Sequence, residues 1–256
     1  MKPVRTLTIA GALMIASLCL ADPATTAAPP ASPATDESSV RILRKYVQGN
    51  TDRLKITANM QYEARNIDVE MVISQTVEKV HPDGTADVRL VYETVEILAK
   101  DTDGKIVRQE IPKQSPSTIR MDVQGRRVGQ LSGGHGAQID PLFFLTIVPP
   151  SILKVGQSHE FDVRDMTRGG APFKGTLKLL EIVDGRAKFE GEFEITPAGA
   201  KEPEKVVTTS EFDVATGRFL RGTGKLTNVA PTGSRTIPSV KGMEFTIEIL
   251  PAKEEE

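Results

Sequence analysis

Four residues of the chain are of types that hold metals or move protons at neutral pH: His81, His135, His159 and Cys19. A metal site needs several such ligands at close spacing, as in H-x-x-x-H. None of the three histidines has a second His, Cys or paired carboxylate so placed. His81 precedes Pro82 in a turn sequence, and His159 falls in a predicted strand. His135 lies in Ser132-Gly133-Gly134-His135-Gly136. Such a glycine run can cradle an anion on its backbone amides, with the imidazole as its titratable member. It lacks the Lys-Ser/Thr ending of a phosphate loop and opens no helix, so it reads as a connector. No G-x-S-x-G elbow occurs to strain a serine nucleophile. Glu190, Glu192 and Glu194 alternate along one strand, which is the solvated face of a sheet rather than a glycosidase pair. Val206-Val207-Thr208-Thr209-Ser210 has ordinary strand composition. No catalytic, cofactor-binding or metal-ligating residue is assigned, and the chain reads as a non-enzyme.

The elements around these residues are strands. Val69, Met71, Ile73 and Val77 share one phase, opposed by Glu70, Ser74, Thr76 and Glu78. His81-Pro82-Asp83-Gly84 turns the chain, Asp-Gly being a strong hairpin signal. It returns through Ala86, Val88, Leu90 and Tyr92. Beyond them the phase blurs at Val91, Val95 and Ile97, as expected of a strand covered on both faces or carrying a bulge. In the second half, Ala187, Phe189, Gly191, Phe193 and Ile195 alternate with charged residues. Leu177 and Leu179 lie on the partner strand, reached through Asp184-Gly185. Met243, Phe245, Ile247 and Ile249 form a last strand. Little helical periodicity exists outside the N-terminal leader.

Three blocks recur in the same order. Gly49-Asn50-Thr51-x-x-Leu54-x-Ile56 matches Gly156-Gln157-Ser158-x-x-Phe161-x-Val163. Asp83-Gly84-x-Ala86-x-Val88 matches Asp184-Gly185-x-Ala187-x-Phe189. Met121-Asp122-Val123 before Gly125-Arg126 matches Phe212-Asp213-Val214 before Gly217-Arg218. The expected fold is therefore all-β: two strongly twisted antiparallel sheets from an internal duplication, half-barrel or sandwich-like. Residues 40–140 form unit 1 and residues 153–256 unit 2, joined by an apolar connector over residues 141–152.

The N-terminus carries Lys2 and Arg5 before an apolar stretch from Leu7 to Leu20. As a helix it would span only about 21 Å, short of a hydrocarbon core of about 30 Å. Residues 1–21 read as a signal peptide cleaved before Asp22. Lipidation at Cys19 is the alternative, against which stands Leu18 where a small residue belongs. Residues 22–39 are rich in Pro and Ala with no aromatic residue, and read as a disordered linker. Loss of the leader moves the net charge from −2 to −4. A mildly acidic chain has no electrostatic case for nucleic acid. Membrane contact is expected only if Cys19 is acylated.

Taken together, the leader, the linker, the Pro82 to Val88 hairpin, Val155-Gly156-Gln157-Ser158 and the Phe212 to Arg218 hairpin resemble a group of exported bacterial proteins catalogued as a domain of unknown function. In layout alone the chain is also similar to half-barrel lipid and lipoprotein carriers of the bacterial envelope. The first resemblance implies a periplasmic or secreted location and brings no catalytic residues. Two functions fit a β-domain of this kind: a carrier of an apolar small molecule or lipid, or a structural module that binds an envelope protein. For the carrier, phase selects Val88, Leu90 and Tyr92 from unit 1 and Phe189 and Phe193 from unit 2. Phe143, Phe144 and Ile147 of the connector would be its plug or lid.

Overall fold

The computed structural model describes residues 39–62, 66–100, 106–110, 115–132, 145–163, 173–196, 202–228 and 240–251. The leader and linker, His135, and Phe143 and Phe144 of the connector lie outside the described residues. The strands are β1 (Ser39–Val40), β2 (Thr51–Tyr62), β3 (Asn66–Val80), β4 (Ala86–Lys100), β5 (Ile106–Glu110), β6 (Ser117–Met121) and β7 (Arg127–Ser132). They continue as β8 (Leu153–Lys154), β9 (Ser158–Val163), β10 (Phe173–Val183), β11 (Arg186–Ile195), β12 (Glu204–Asp213), β13 (Phe219–Thr227) and β14 (Val240–Leu250). The protein is nearly all β, as its alternation predicts.

The strands divide unequally between two sheets. A twelve-stranded sheet runs β7-β6-β4-β3-β2-β14-β13-β12-β11-β10-β9, with β5 beside the outer half of β4, while β1 and β8 pair only with each other. Every pairing is antiparallel. The two units are thus neighbours in one large sheet, joined where β14 pairs with β2 in the register Ile247↔Ile56. The end strands β7 and β9 do not pair with each other, so the sheet stays open.

The repeated blocks adopt repeated geometry. Gly49 donates to Val77 O and Val77 donates to Asn50 O; likewise Gly156 donates to Leu179 O and Leu179 to Gln157 O. A register shift follows each bonded residue, at Val77/Lys79 and at Leu179/Glu181. The glycines pair off with matched positive φ: 87° and 85° at Gly49 and Gly156, 77° and 67° at Gly125 and Gly217. That region is nearly free of cost for glycine alone, which explains why the motif residue recurs. Asp122 and Asp213 organise their turns alike, since Asp122 Oδ1 accepts from Gln124 N and Asp213 Oδ1 from Thr216 N. The blurred phase of β4 is a bulge: Ile73 faces Tyr92 whereas Val72 faces Thr94. The extra residue, Glu93, points outward, accepting from Arg53 and Ser74.

Residues 43–45 show how strongly the large sheet curls. From the β6–β7 hairpin to the β12–β13 hairpin is six inter-strand steps, about 29 Å if flat at ~4.8 Å per step. Yet Arg44 N donates to Val123 O at 2.8 Å and Lys45 N to Thr216 O at 2.9 Å. Adjacent amides cannot reach carbonyls much more than about 10 Å apart. The sheet must wrap round to bring two equivalent turns to one strap. Inside the wrap lie Val40 of β1, Leu153 of β8, Ile42 and the connector residues Leu145 to Val148, all buried. They complete one core that runs from Phe161 on β9 to Ile73 on β3. A small satellite of Ala86, Val88, Ile119 and Met121 closes the β4–β6 end.

Candidate ligand-facing inner surface

The inner face of the large sheet can be followed residue by residue across its strands. One row reads Leu177, Gly191, Thr208, Gly224, Phe245, Ala58, Val69 and Ile97. The next reads Leu179, Phe189, Ser210, Gly222, Ile247, Ile56, Met71 and Val95. Both are apolar, as period-two alternation requires, except where β11, β12 and β13 meet. There five adjacent positions are small: Gly191, Thr208, Gly224, Ser210 and Gly222. Larger side chains lean in to fill the space. A Cβ on Gly191 would lie 2.6 Å from the Phe193 ring, one on Gly224 2.2 Å from the Phe245 ring, and one on Gly222 2.9 Å from Leu145 Cδ2. At the far end of unit 2, Phe161, Phe173 and Phe193 gather with ring centroids 6.1–6.4 Å apart.

The residues proposed from phase fall into two groups. Phe189, Phe193 and Ile147 are buried in the main core, and Tyr92 packs against it half-buried. Val88 belongs to the satellite cluster, with Leu90 packed on it. They therefore do not line one common surface. The connector is buried from Leu145 to Pro149; its Phe143 and Phe144 fall outside the described residues. Sequence reasoning passed over Thr208 and Ser210, each 1% exposed and without a hydrogen-bond partner for its hydroxyl. The available signal was Gly222-x-Gly224, two glycines at strand spacing inside a predicted hairpin arm.

The outer face is charged and knitted by cross-strand pairs. Lys225 Nζ lies 2.9 Å from Glu244, Lys55 3.2 Å from Glu70, and Arg221 is bidentate on Glu211. Arg221 holds the Glu211 carboxyl below the usual range, and Arg120 does the same for Asp87. Two open grooves lie on this face, about 540 and 700 Å³; the first is lined by Glu70, Lys225 and Glu244 among several threonines, the second by Glu160, Asp162 and Glu192 beside Lys174, Glu194 and Lys205. Exposed ion pairs of this kind contribute little to stability each.

Two of the histidines are among the described residues. His81 Nε2 is 3.0 Å from Oδ2 of Asp87, whose Oδ1 accepts from Arg120 Nε at 2.7 Å. His159 Nδ1 is 3.2 Å from Ser151 Oγ, and its ring meets Phe161 edge-on at 4.7 Å. A serine and a histidine in contact invite comparison with a hydrolase pair. Ser151 sits in an exposed bend, however, and among the described residues no carboxylate orients His159. No cluster of three metal-ligating side chains occurs among the described residues. No protein-family model and no curated protein matches the chain.

Proposed function

We propose that this protein is an exported, non-catalytic binding module that carries an apolar ligand against the inner face of its curled sheet. The observation that carries the reading is how the inner layer is held. Among the described residues, the strap makes backbone hydrogen bonds to turns of the large sheet at Val123 and Thr216 and the connector at Gln124, while β1 and β8 pair with each other. They share no ladder with its strands. The rest of their attachment is apolar burial, which an apolar ligand can replace at roughly 25 cal/mol per Å². An equal second sheet would be locked by complementary twist and side-chain interdigitation; a thin layer fastened at its rim is separable. The leader supports delivery across a membrane, with maturation before Asp22 or, alternatively, acylation of Cys19.

A second reading rests on a different observation. Strand β5 is exposed throughout, with Ile106 61% and Val107 50% accessible. An exposed edge with apolar side chains accepts a partner strand, which fits an envelope interaction module. Native mass spectrometry of the protein purified from its host envelope separates the two. A bound mass of lipid size is expected, on a chain whose intact mass begins at Asp22. A partner chain with no small ligand would favour the second reading, and a ligand-free monomer that binds no added apolar probe would overturn the first.

A further inference from the structure

The small-residue patch on the inner face has features that core packing alone does not account for. Thr208 and Ser210 stand two apart on β12, so their side chains project on the same face about 7 Å from each other. Each is 1% exposed and neither hydroxyl has a hydrogen-bond partner. Leaving a buried hydroxyl unpaired is disfavoured, and valine or alanine would fit the same strand without that cost. The flanking positions are equally unexpected for a strand interior: Gly191 and Gly224 beside Thr208, Gly222 beside Ser210. Glycine weakens a strand and commonly marks a place where something approaches the backbone closely. Here the space is taken by Leu145 of the connector and by the rings of Phe193 and Phe245. Unpaired donors and absent side chains thus coincide, and of the groups that fill the space only Leu145 comes from the inner layer.

We infer that Thr208 and Ser210 form the polar anchor of the ligand site, and that the ligand is a single-chain acyl lipid with an uncharged, hydrogen-bond-accepting head such as an ester. This rests on the carrier reading. The ester group takes the place of Leu145 over Gly222, its two oxygens accepting one from each hydroxyl, and the chain extends toward Phe161, Phe173 and Phe193. The head is uncharged because the hydroxyls donate hydrogen bonds without supplying countercharge. A carboxylate or phosphate placed on them would be a buried anion held by neutral donors alone, which is strongly disfavoured. Arg44 of the strap donates through Nη2 to Thr146 O, beside the turn at Gly125.

The test uses the full mature chain and two probes of equal length, a long-chain acyl methyl ester and the corresponding alkane, each displacing a fluorescent apolar reporter. Thr208→Val and Ser210→Ala, alone and together, remove the hydroxyls while keeping the strand. The double variant is expected to bind the ester about tenfold more weakly, to bind the alkane as before, and to melt at the same temperature or higher. Equal ester affinity in wild type and double variant overturns the anchor while leaving the carrier reading intact. Parallel loss of both probes also overturns it, since the change would then be one of packing. Binding of neither probe by the wild-type chain overturns the carrier reading and the anchor with it. A fatty-acid carboxylate bound more tightly than the ester would refute the assignment of an uncharged head.

Discussion

At the scale of single residues, the strongest local constraint is the aspartate that closes each repeated hairpin. Asp122 is 7% exposed and accepts from Gln124 N at 3.0 Å, Arg126 N at 2.8 Å and Arg126 Nε at 2.6 Å. Asp213 holds the equivalent turn in a more exposed setting, and its bond from Thr216 keeps its carboxyl below the usual range. Removing an acceptor strands buried donors, at about 1–3 kcal/mol each time. Asp122→Ala should therefore cost about 2–3 kcal/mol and Asp213→Ala about 1 kcal/mol, read from urea unfolding midpoints at constant slope. Such turns were legible because Asp and Gly play fixed stereochemical roles there. Thr208 and Ser210 were not legible as anything unusual. A threonine-rich strand is common, and only the register shows them standing between glycines.

At the scale of elements, phase was legible and partnership was not. The alternation of Ala187 to Ile195 appears as a buried row, and that of Met243 to Ile249 as a row buried at Phe245 and Ile247 and half-buried at its ends, because one-sided burial imposes period two wherever it occurs. That β14 pairs with β2, nearly two hundred residues away, leaves no trace in local pattern. The same holds for the junction of the two units into one sheet. Close packing between neighbouring strands makes a compensating test available. Gly224 faces Phe245 across β13 and β14, and a Cβ there would sit 2.2 Å from the ring. Overpacking of this kind costs about 1–3 kcal/mol. Gly224→Ala should destabilise by that amount, and Phe245→Leu in the same chain should recover more than half of it. Additive losses in the double variant, measured by denaturant unfolding, would mean that the ring is not what occupies the space.

On the scale of the whole described unit, stability should be graded along the sheet. The main core extends from Phe161 through the middle strands to Ile73, whereas β6 rests on a satellite of four buried residues and β7 is an edge. Segments with few buried contacts open below the global unfolding free energy. Native-state hydrogen exchange should show amides of β5, β6 and β7 exchanging at least tenfold faster than those of β11, β12 and β13. Uniform protection across the sheet would contradict this gradient. Composition alone could not reveal the asymmetry, because both units alternate equally well. It arises because the connector and strap complete the main core and not the satellite at the β4–β6 end.

The strap also sets how the molecule would answer a mechanical load. A pull on the chain ahead of Ser39 reaches β1 first, then the amides of Arg44 and Lys45, and no rung of the large sheet before them. Those bonds lie in series along the strap, so tension opens them one after another, as a zipper does, instead of shearing many at once. The inner layer is in effect a ripcord: drawing it out would bare the apolar interior while the twelve-stranded wall still stood.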